Sequence, residues 1–66
     1  MSVVKIIEVV GTSPDGWHEA VNNALEGAKE TLHGLSGIEV MSHTATVRDG
    51  EINEYRATVK LAFKVD

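Results

Sequence analysis

The chain has 66 residues and no cysteine, and its formal net charge at pH 7 is −4. A single domain this small buries only about 60% of its unfolded surface, so such scaffolds usually need disulfides, a metal or oligomerisation. The lack of cysteine excludes disulfides, and no CxxC or HExxH spacing indicates a zinc site. We therefore expect one domain, residues 1–66, that assembles with copies of itself.

The charge pattern argues against two kinds of partner. The six basic residues are dispersed along the chain, whereas a nucleic-acid-binding surface needs a basic stripe. No apolar segment approaches the roughly 20 residues that cross a bilayer, and the first residues lack the features of a signal peptide. We expect a cytoplasmic protein with neither a nucleic-acid nor a membrane partner.

The first predicted element is a β-strand over residues 3–10, which is rich in valine and isoleucine. Both of its faces are apolar. Val3, Ile7 and Val9 share one face, and Val4, Ile6 and Val10 share the other. A strand with one face in water would instead alternate apolar and polar residues. Because one helix cannot cover both faces, the second face predicts a subunit interface.

A helix is predicted directly after this strand, over residues 14 to about 33. Gly11 would permit a sharp turn, Ser13 would cap the helix and Pro14 would occupy its first position. Gly34 is expected at the helix C-terminus. Apolar residues recur at helical spacing and predict the buried stripe: Trp17, Val21, Leu25, Ala28 and Leu32, with Ala20 and Ala24 beside them.

Residues 37–48 and 52–65 are predicted to form an antiparallel hairpin. Asp49 and Gly50 between them are a strong turn signal. The alternation of strand two breaks near Ser42, which predicts a bulge or bend. Strand three alternates regularly, and its apolar face contains Tyr55, Ala57, Val59, Leu61, Phe63 and Val65. The resulting β-α-β-β order predicts a sheet with one apolar face packed on one amphipathic helix.

Several segments, in this order and spacing, resemble the dodecins, which are very small flavin-binding proteins that assemble as hollow shells of twelve subunits. The segments are Val10-Gly11-Thr12-Ser13, the single helix, Glu39-Val40, Asp49-Gly50 and the closing run of residues 59–65. The resemblance spans the whole chain. It implies an α+β fold, in which a three-stranded antiparallel sheet wraps partly around the helix, and a homododecamer.

The flavin site that the resemblance implies is altered at two positions. Flavin-binding dodecins carry a tryptophan just before the Glu-Val pair of strand two, where paired copies stack on flavin rings. Gly37 stands there in this chain and offers no π surface. They also carry a glutamine in strand three that hydrogen-bonds the flavin, and Arg56, which only donates, stands there instead. We expect a degraded flavin site, and the alternative is a true flavin-binding dodecin.

A second branch of the family, described as calcium-binding, also lacks this tryptophan and has Tyr-Arg in strand three, like Tyr55-Arg56 here. This chain is more similar to that branch. It contains no DxDxDG loop, so a calcium site would be built between subunits from strand carboxylates. The candidates are Glu8, Glu39 and Glu54. His43 is a further ligand-binding candidate, because it lies in strand two, where the family's ligand pockets lie.

Three of these residues have alternative roles. For Arg56 we favour an ion pair with a carboxylate of another subunit, such as Glu39, over contact with an anionic ligand. Glu8 interrupts an apolar face, and we favour a partner across an interface over metal ligation. Trp17 is expected to anchor the first helical turn in the core or at an interface, rather than to stack on flavin.

The spacing of nucleophiles, histidines and carboxylates supports no catalytic arrangement, so we do not expect an enzyme. We predict a protein that binds and stores a small ligand in a dodecin-like shell, with flavin implied by the family and calcium as a second candidate. The alternative from another class is an assembly module whose shell holds no ligand.

Overall fold

The computed structural model describes residues 3–65 and contains one helix and three strands in the order β-α-β-β. The strands are β1 (Val3–Ser13), β2 (Leu35–Arg48) and β3 (Glu51–Val65), and the helix is α1 (Trp17–Lys29). β3 is the central strand of an antiparallel sheet with the order β1-β3-β2. The predicted fold class is confirmed.

The core lies between α1 and one face of the sheet. Its buried apolar residues are Ala20 and Ala24 from the helix and Ala57, Val59 and Leu61 from β3. The apolar face predicted for β3 is therefore confirmed at its centre. Ile7 and Val9 of β1 pack against the same core, so α1 covers one of the two apolar faces of β1.

Gly11 lies inside β1, opposite Ala57 of β3, and not at a turn. A Cβ atom at this position would overlap the backbone oxygen of Ala20 and would lie 2.8 Å from the Cβ of Ala24. The helix can approach β1 this closely only because residue 11 has no side chain. The predicted sharp turn at Gly11 is wrong, and the glycine serves the helix–sheet contact instead.

The helix begins later than predicted. Its N-cap is Gly16, which makes no side-chain capping hydrogen bond. Ser13 is 3% exposed, and its Oγ accepts a hydrogen bond of 3.0 Å from the backbone N–H of Asp15. The predicted capping role of Ser13 and the helical position of Pro14 are both wrong, because Ser13 ends the strand and shapes the turn that precedes the helix.

The helix also ends earlier than predicted, at Lys29 rather than near residue 33. Gly34 does have a positive φ of 73°, but it lies beyond the helix. Its carbonyl oxygen accepts a hydrogen bond of 3.1 Å from the backbone N–H of Lys64. Gly34 therefore leads the chain into β2, which begins at Leu35, two residues earlier than predicted.

The β2–β3 hairpin turns at the predicted residues. Asp49 and Gly50 have positive φ angles of 53° and 78°, as the two central residues of a type I′ turn require. The pairing of β2 with β3 shifts by one residue between Val40 and Ser42. This shift confirms the predicted bulge and leaves Met41 as the extra residue.

The chain is elongated. It measures 52 × 20 × 13 Å and has a radius of gyration of 13.5 Å, whereas a compact chain of this length would have about 11 Å. Its accessible surface of 4753 Å² exceeds the roughly 4,100 Å² expected for a monomer of its mass. The hairpin extends past Tyr55, where pairing with β1 ends. No helix in residues 3–65 has the length and hydropathy to span a membrane.

Candidate functional site

The sheet face that points away from α1, called the outer face below, carries most of the residues predicted to bind ligands. Ala57, Val59 and Leu61 face the helix, so the alternate residues of β3 and their partners in register lie on the outer face. Its members with predicted roles are Glu8 on β1, Gly37 and Glu39 on β2, and Glu54 and Arg56 on β3.

One end of the outer face is apolar. Val4 and Ile6 at this end are 50% and 52% exposed, and they lie on the face of β1 opposite to the one that packs on α1. Val10 lies on the same face beyond Glu8, opposite Thr58, and is 47% exposed. Ala62, opposite Ile6, continues this apolar area onto β3. As predicted from the sequence, the second apolar face of β1 is not covered by the described part of the subunit.

A row of three charged residues crosses the middle of the outer face. Lys60 of β3 lies opposite Glu8 of β1 on one side and opposite Glu39 of β2 on the other. The strand spacing places the two glutamate Cα atoms about 10 Å apart. Within the subunit, the cation aligned with both glutamates is therefore Lys60 and not Arg56.

The three predicted calcium ligands do not meet within one subunit. Glu54 lies six residues from Lys60 along β3, which is about 20 Å from the row that holds Glu8 and Glu39. Residues 3–65 contain no group of three or more His, Cys, Asp or Glu side chains able to hold a metal ion. A calcium site built from these three carboxylates would need more than one subunit.

The two altered flavin positions are also far apart within one subunit. Gly37 lies opposite Ala62 and Arg56 lies opposite Thr44, so about 20 Å of β3 separates them. A Cβ atom at Gly37 would lie 3.8 Å from the Cβ of Ala62, which is ordinary contact. A site that used both positions would draw them from different subunits, and position 37 can accept a side chain.

His43 lies on the helix side of the sheet, opposite Ala57. It belongs to an aromatic cluster with Trp17 and Tyr55, in which the Trp17 ring centroid lies 5.9 Å from that of His43 and 4.8 Å from that of Tyr55, both edge to face. The Nε1–H of Trp17 donates a hydrogen bond of 2.8 Å to the carbonyl oxygen of Thr44. Trp17 is 38% exposed and joins α1 to the hairpin.

An open groove of about 390 Å³ lies between α1 and the free edge of β1. Its lining consists of Ile7, Val9, Val10, Asn23, Ala24, Gly27, Ala28, Thr31 and Leu32. The lining contains no charged side chain, so the groove suits an apolar surface rather than an ion. The sequence analysis did not identify it, because a groove beside an edge strand depends on where the helix crosses that strand.

Comparison with known proteins gives a consistent result. The family model described as Dodecin matches residues 3–66. The dodecin of Thermus thermophilus is 33% identical over 64 residues, which cover 97% of this chain and 93% of that protein. The solved dodecin of Streptomyces coelicolor is 37% identical and superposes with a TM-score of 0.96, covering 98% of this chain and 93% of that one.

A solved calcium dodecin from Mycobacterium tuberculosis, described as calcium-chelating, is also similar. It is 30% identical and superposes with a TM-score of 0.87, covering 98% of this chain and 93% of that one. The fold and these matches define a small α+β protein with a single helix packed on a three-stranded antiparallel sheet. The chain belongs to the dodecin family, which confirms the resemblance found in its sequence.

Proposed function

We propose that this chain is a non-enzymatic ligand-binding protein that works as a hollow homododecamer and holds a small ligand between subunits. The observation that carries the assembly is the uncovered second apolar face of β1. Burying the exposed half of Val4, Ile6 and Val10 would contribute about 1 kcal/mol per side chain. The elongated shape of the subunit and its membership of the dodecin family support the same proposal.

The flavin site is degraded in this proposal. The residue that would stack on the flavin ring is Gly37, and the one tryptophan of the chain, Trp17, packs on the other side of the sheet against Tyr55. Arg56 replaces the glutamine that supplies both a donor and an acceptor. The protein should therefore bind riboflavin weakly.

The variant Gly37→Trp tests this assignment. An aromatic pair contributes about 0.5–1.5 kcal/mol beyond its buried area, so we expect riboflavin affinity to rise roughly two- to tenfold. Fluorescence titration with riboflavin measures this affinity. Gly37→Leu is the matched control, because it adds apolar area without a π surface. Equal affinities of the two variants, or stoichiometric flavin in the purified wild-type protein, would contradict the proposal.

Calcium is the second candidate ligand. The similarity to a calcium dodecin supports it, and so does the presence of Glu8, Glu39 and Glu54 on one face of the sheet. Calorimetric titration with calcium chloride should then show binding that Glu39→Gln weakens, whereas Glu26→Gln, on the helix, should not. If the wild-type protein assembles but binds neither flavin nor calcium, the alternative function, an assembly module whose shell holds neither ligand, explains the result better.

A further inference from the structure

We propose that Arg56 is the centre of a binding site for a compact oxyanion, meaning the phosphate or carboxylate group of a small ligand. The inference rests on the proposed ligand-binding function and names the chemical class of the ligand. It concerns the polar end of the outer face, on the far side of the charged row from Val4 and Ile6.

Hydroxyl groups occupy most of the sheet positions around Arg56, and the other neighbours on this face are Val10 of β1 and Glu54 of β3. Thr12 of β1 and Thr44 of β2 lie directly opposite it on either side, and Thr58 follows on the same face of β3. Ser42 and Thr46 occupy the diagonal positions of β2. Direct partners in a sheet have Cβ atoms about 5 Å apart, and diagonal neighbours lie about 7–8 Å apart. The Cβ atoms of all these residues therefore lie within about 8 Å of the Cβ of Arg56.

This arrangement favours an acceptor-only ligand. A guanidinium group donates from five N–H bonds in a planar fork that matches a carboxylate or a phosphate, and a hydroxyl can add a further donated bond. Hydrogen bonds from a charged donor to a charged acceptor are about twice as strong as neutral ones. Thr12, Thr44 and Arg56 are exposed, so a ligand in solution can reach them.

No carboxylate among residues 3–65 forms an ion pair with Arg56. The one ion pair within residues 3–65 joins Lys29 to Glu26, at 3.4 Å. Glu8 and Glu39 are aligned with Lys60, four residues or about 13 Å along β3 from Arg56. Glu54 is nearer, two residues away on the same face, and its partner in register is Thr46.

The test uses the full chain in its assembled state and two probes, inorganic phosphate and acetate, each titrated at constant ionic strength. Calorimetry and ³¹P line broadening measure binding of phosphate, and calorimetry measures binding of acetate. The variants are Arg56→Gln, Thr44→Val and Arg56→Lys. Lys64→Gln is the matched control, because it removes the same charge from the same face of the same strand at the apolar end.

We expect at least tenfold weaker phosphate binding in Arg56→Gln and about threefold weaker binding in Thr44→Val and Arg56→Lys. Lys64→Gln should change binding less than twofold. The probe that loses more affinity in Arg56→Gln identifies the source of the oxyanion, phosphate or carboxylate. Equal weakening by Arg56→Gln and Lys64→Gln, or no binding of either probe, would overturn the proposal.

Arg56→Lys separates this site from the ion pair between subunits that the sequence favoured. Lysine keeps the charge and the ion pair but lacks the planar fork, so assembly should survive while oxyanion binding weakens. If Arg56→Gln dissociates the assembly and Arg56→Lys binds phosphate as the wild type does, the ion pair is the correct role. A wild-type protein that is a monomer would instead refute the proposed function, and the phosphate titration would still report on Arg56.

Discussion

At the scale of single residues, the contact between α1 and β1 depends on a glycine at position 11. Gly11 lies directly beneath Ala20 and Ala24, and a Cβ atom would overlap the helix backbone. Gly27 lies inside the helix, where a Cβ atom would meet nothing within 4 Å. Glycine is therefore required at position 11, whereas at position 27 it only lowers the stability of the helix.

Gly11→Ala and Gly27→Ala should have opposite effects on stability. Overpacking at position 11 should lower the free energy of unfolding by about 1–3 kcal/mol or more, whereas alanine at position 27 should raise it by about 0.5–1 kcal/mol. Urea unfolding at one fixed protein concentration measures both. A neutral Gly11→Ala would contradict the packing account, and a destabilising Gly27→Ala would show that another subunit contacts the helix there.

At the scale of elements, two contacts hold α1 against the sheet. Gly11 sets the contact with β1. Trp17, in the first turn of the helix, contacts Tyr55 and His43 and donates its hydrogen bond to Thr44. The contact made by Trp17 fixes the orientation of the hairpin relative to the helix.

Trp17→Phe should lower the free energy of unfolding by about 1 kcal/mol, because it keeps an aromatic ring but removes the hydrogen bond to the Thr44 carbonyl oxygen. Trp17→Ala should cost more, since it also removes the contacts with Tyr55 and His43. Urea unfolding followed by circular dichroism measures both variants. If both unfold like the wild type, Trp17 does not anchor the helix.

At the scale of the whole molecule, the proposed assembly depends on the outer face. Ile6→Lys places a charge in its apolar end. On a monomer, this exposed change would alter stability by less than about 0.5 kcal/mol, but in an assembly it buries an unpaired charge. We expect Ile6→Lys to dissociate the assembly, as measured by light scattering, while Glu19→Lys, on the exposed side of α1, leaves it intact. Assembly by both variants would contradict the proposed interface.

Much of the fold follows from local patterns in the sequence. The period of two in β3 predicted the face that contains Val59 and Leu61, and the Asp49-Gly50 pair predicted the turn, because both positions need positive φ. The start of the helix was not predicted correctly. Ser13 and Pro14 match a helix N-terminus locally. In the structure, however, Ser13 is buried and pairs with Tyr55 in the sheet, so β1 continues to Ser13 and the helix begins only at Trp17.

The candidate site was less predictable, because it depends on register. A strict period of two from Gly37 and Glu39 would put His43 on the outer face with them. The bulge at Met41 reverses the alternation, so His43 faces the helix and joins Trp17. The alignment of Glu8 and Glu39 with Lys60 likewise depends on pairings between distant segments, which no local pattern encodes.

The mass of the native protein tests the central claim most directly. Native mass spectrometry, under conditions that retain bound ligands, counts the subunits and weighs any ligand in one experiment. The account predicts twelve copies of the 7.1 kDa chain, with additional mass from a small ligand that is not flavin. A monomer of about 7 kDa would contradict the proposed assembly, and twelve subunits carrying stoichiometric flavin would contradict the proposed loss of the flavin site.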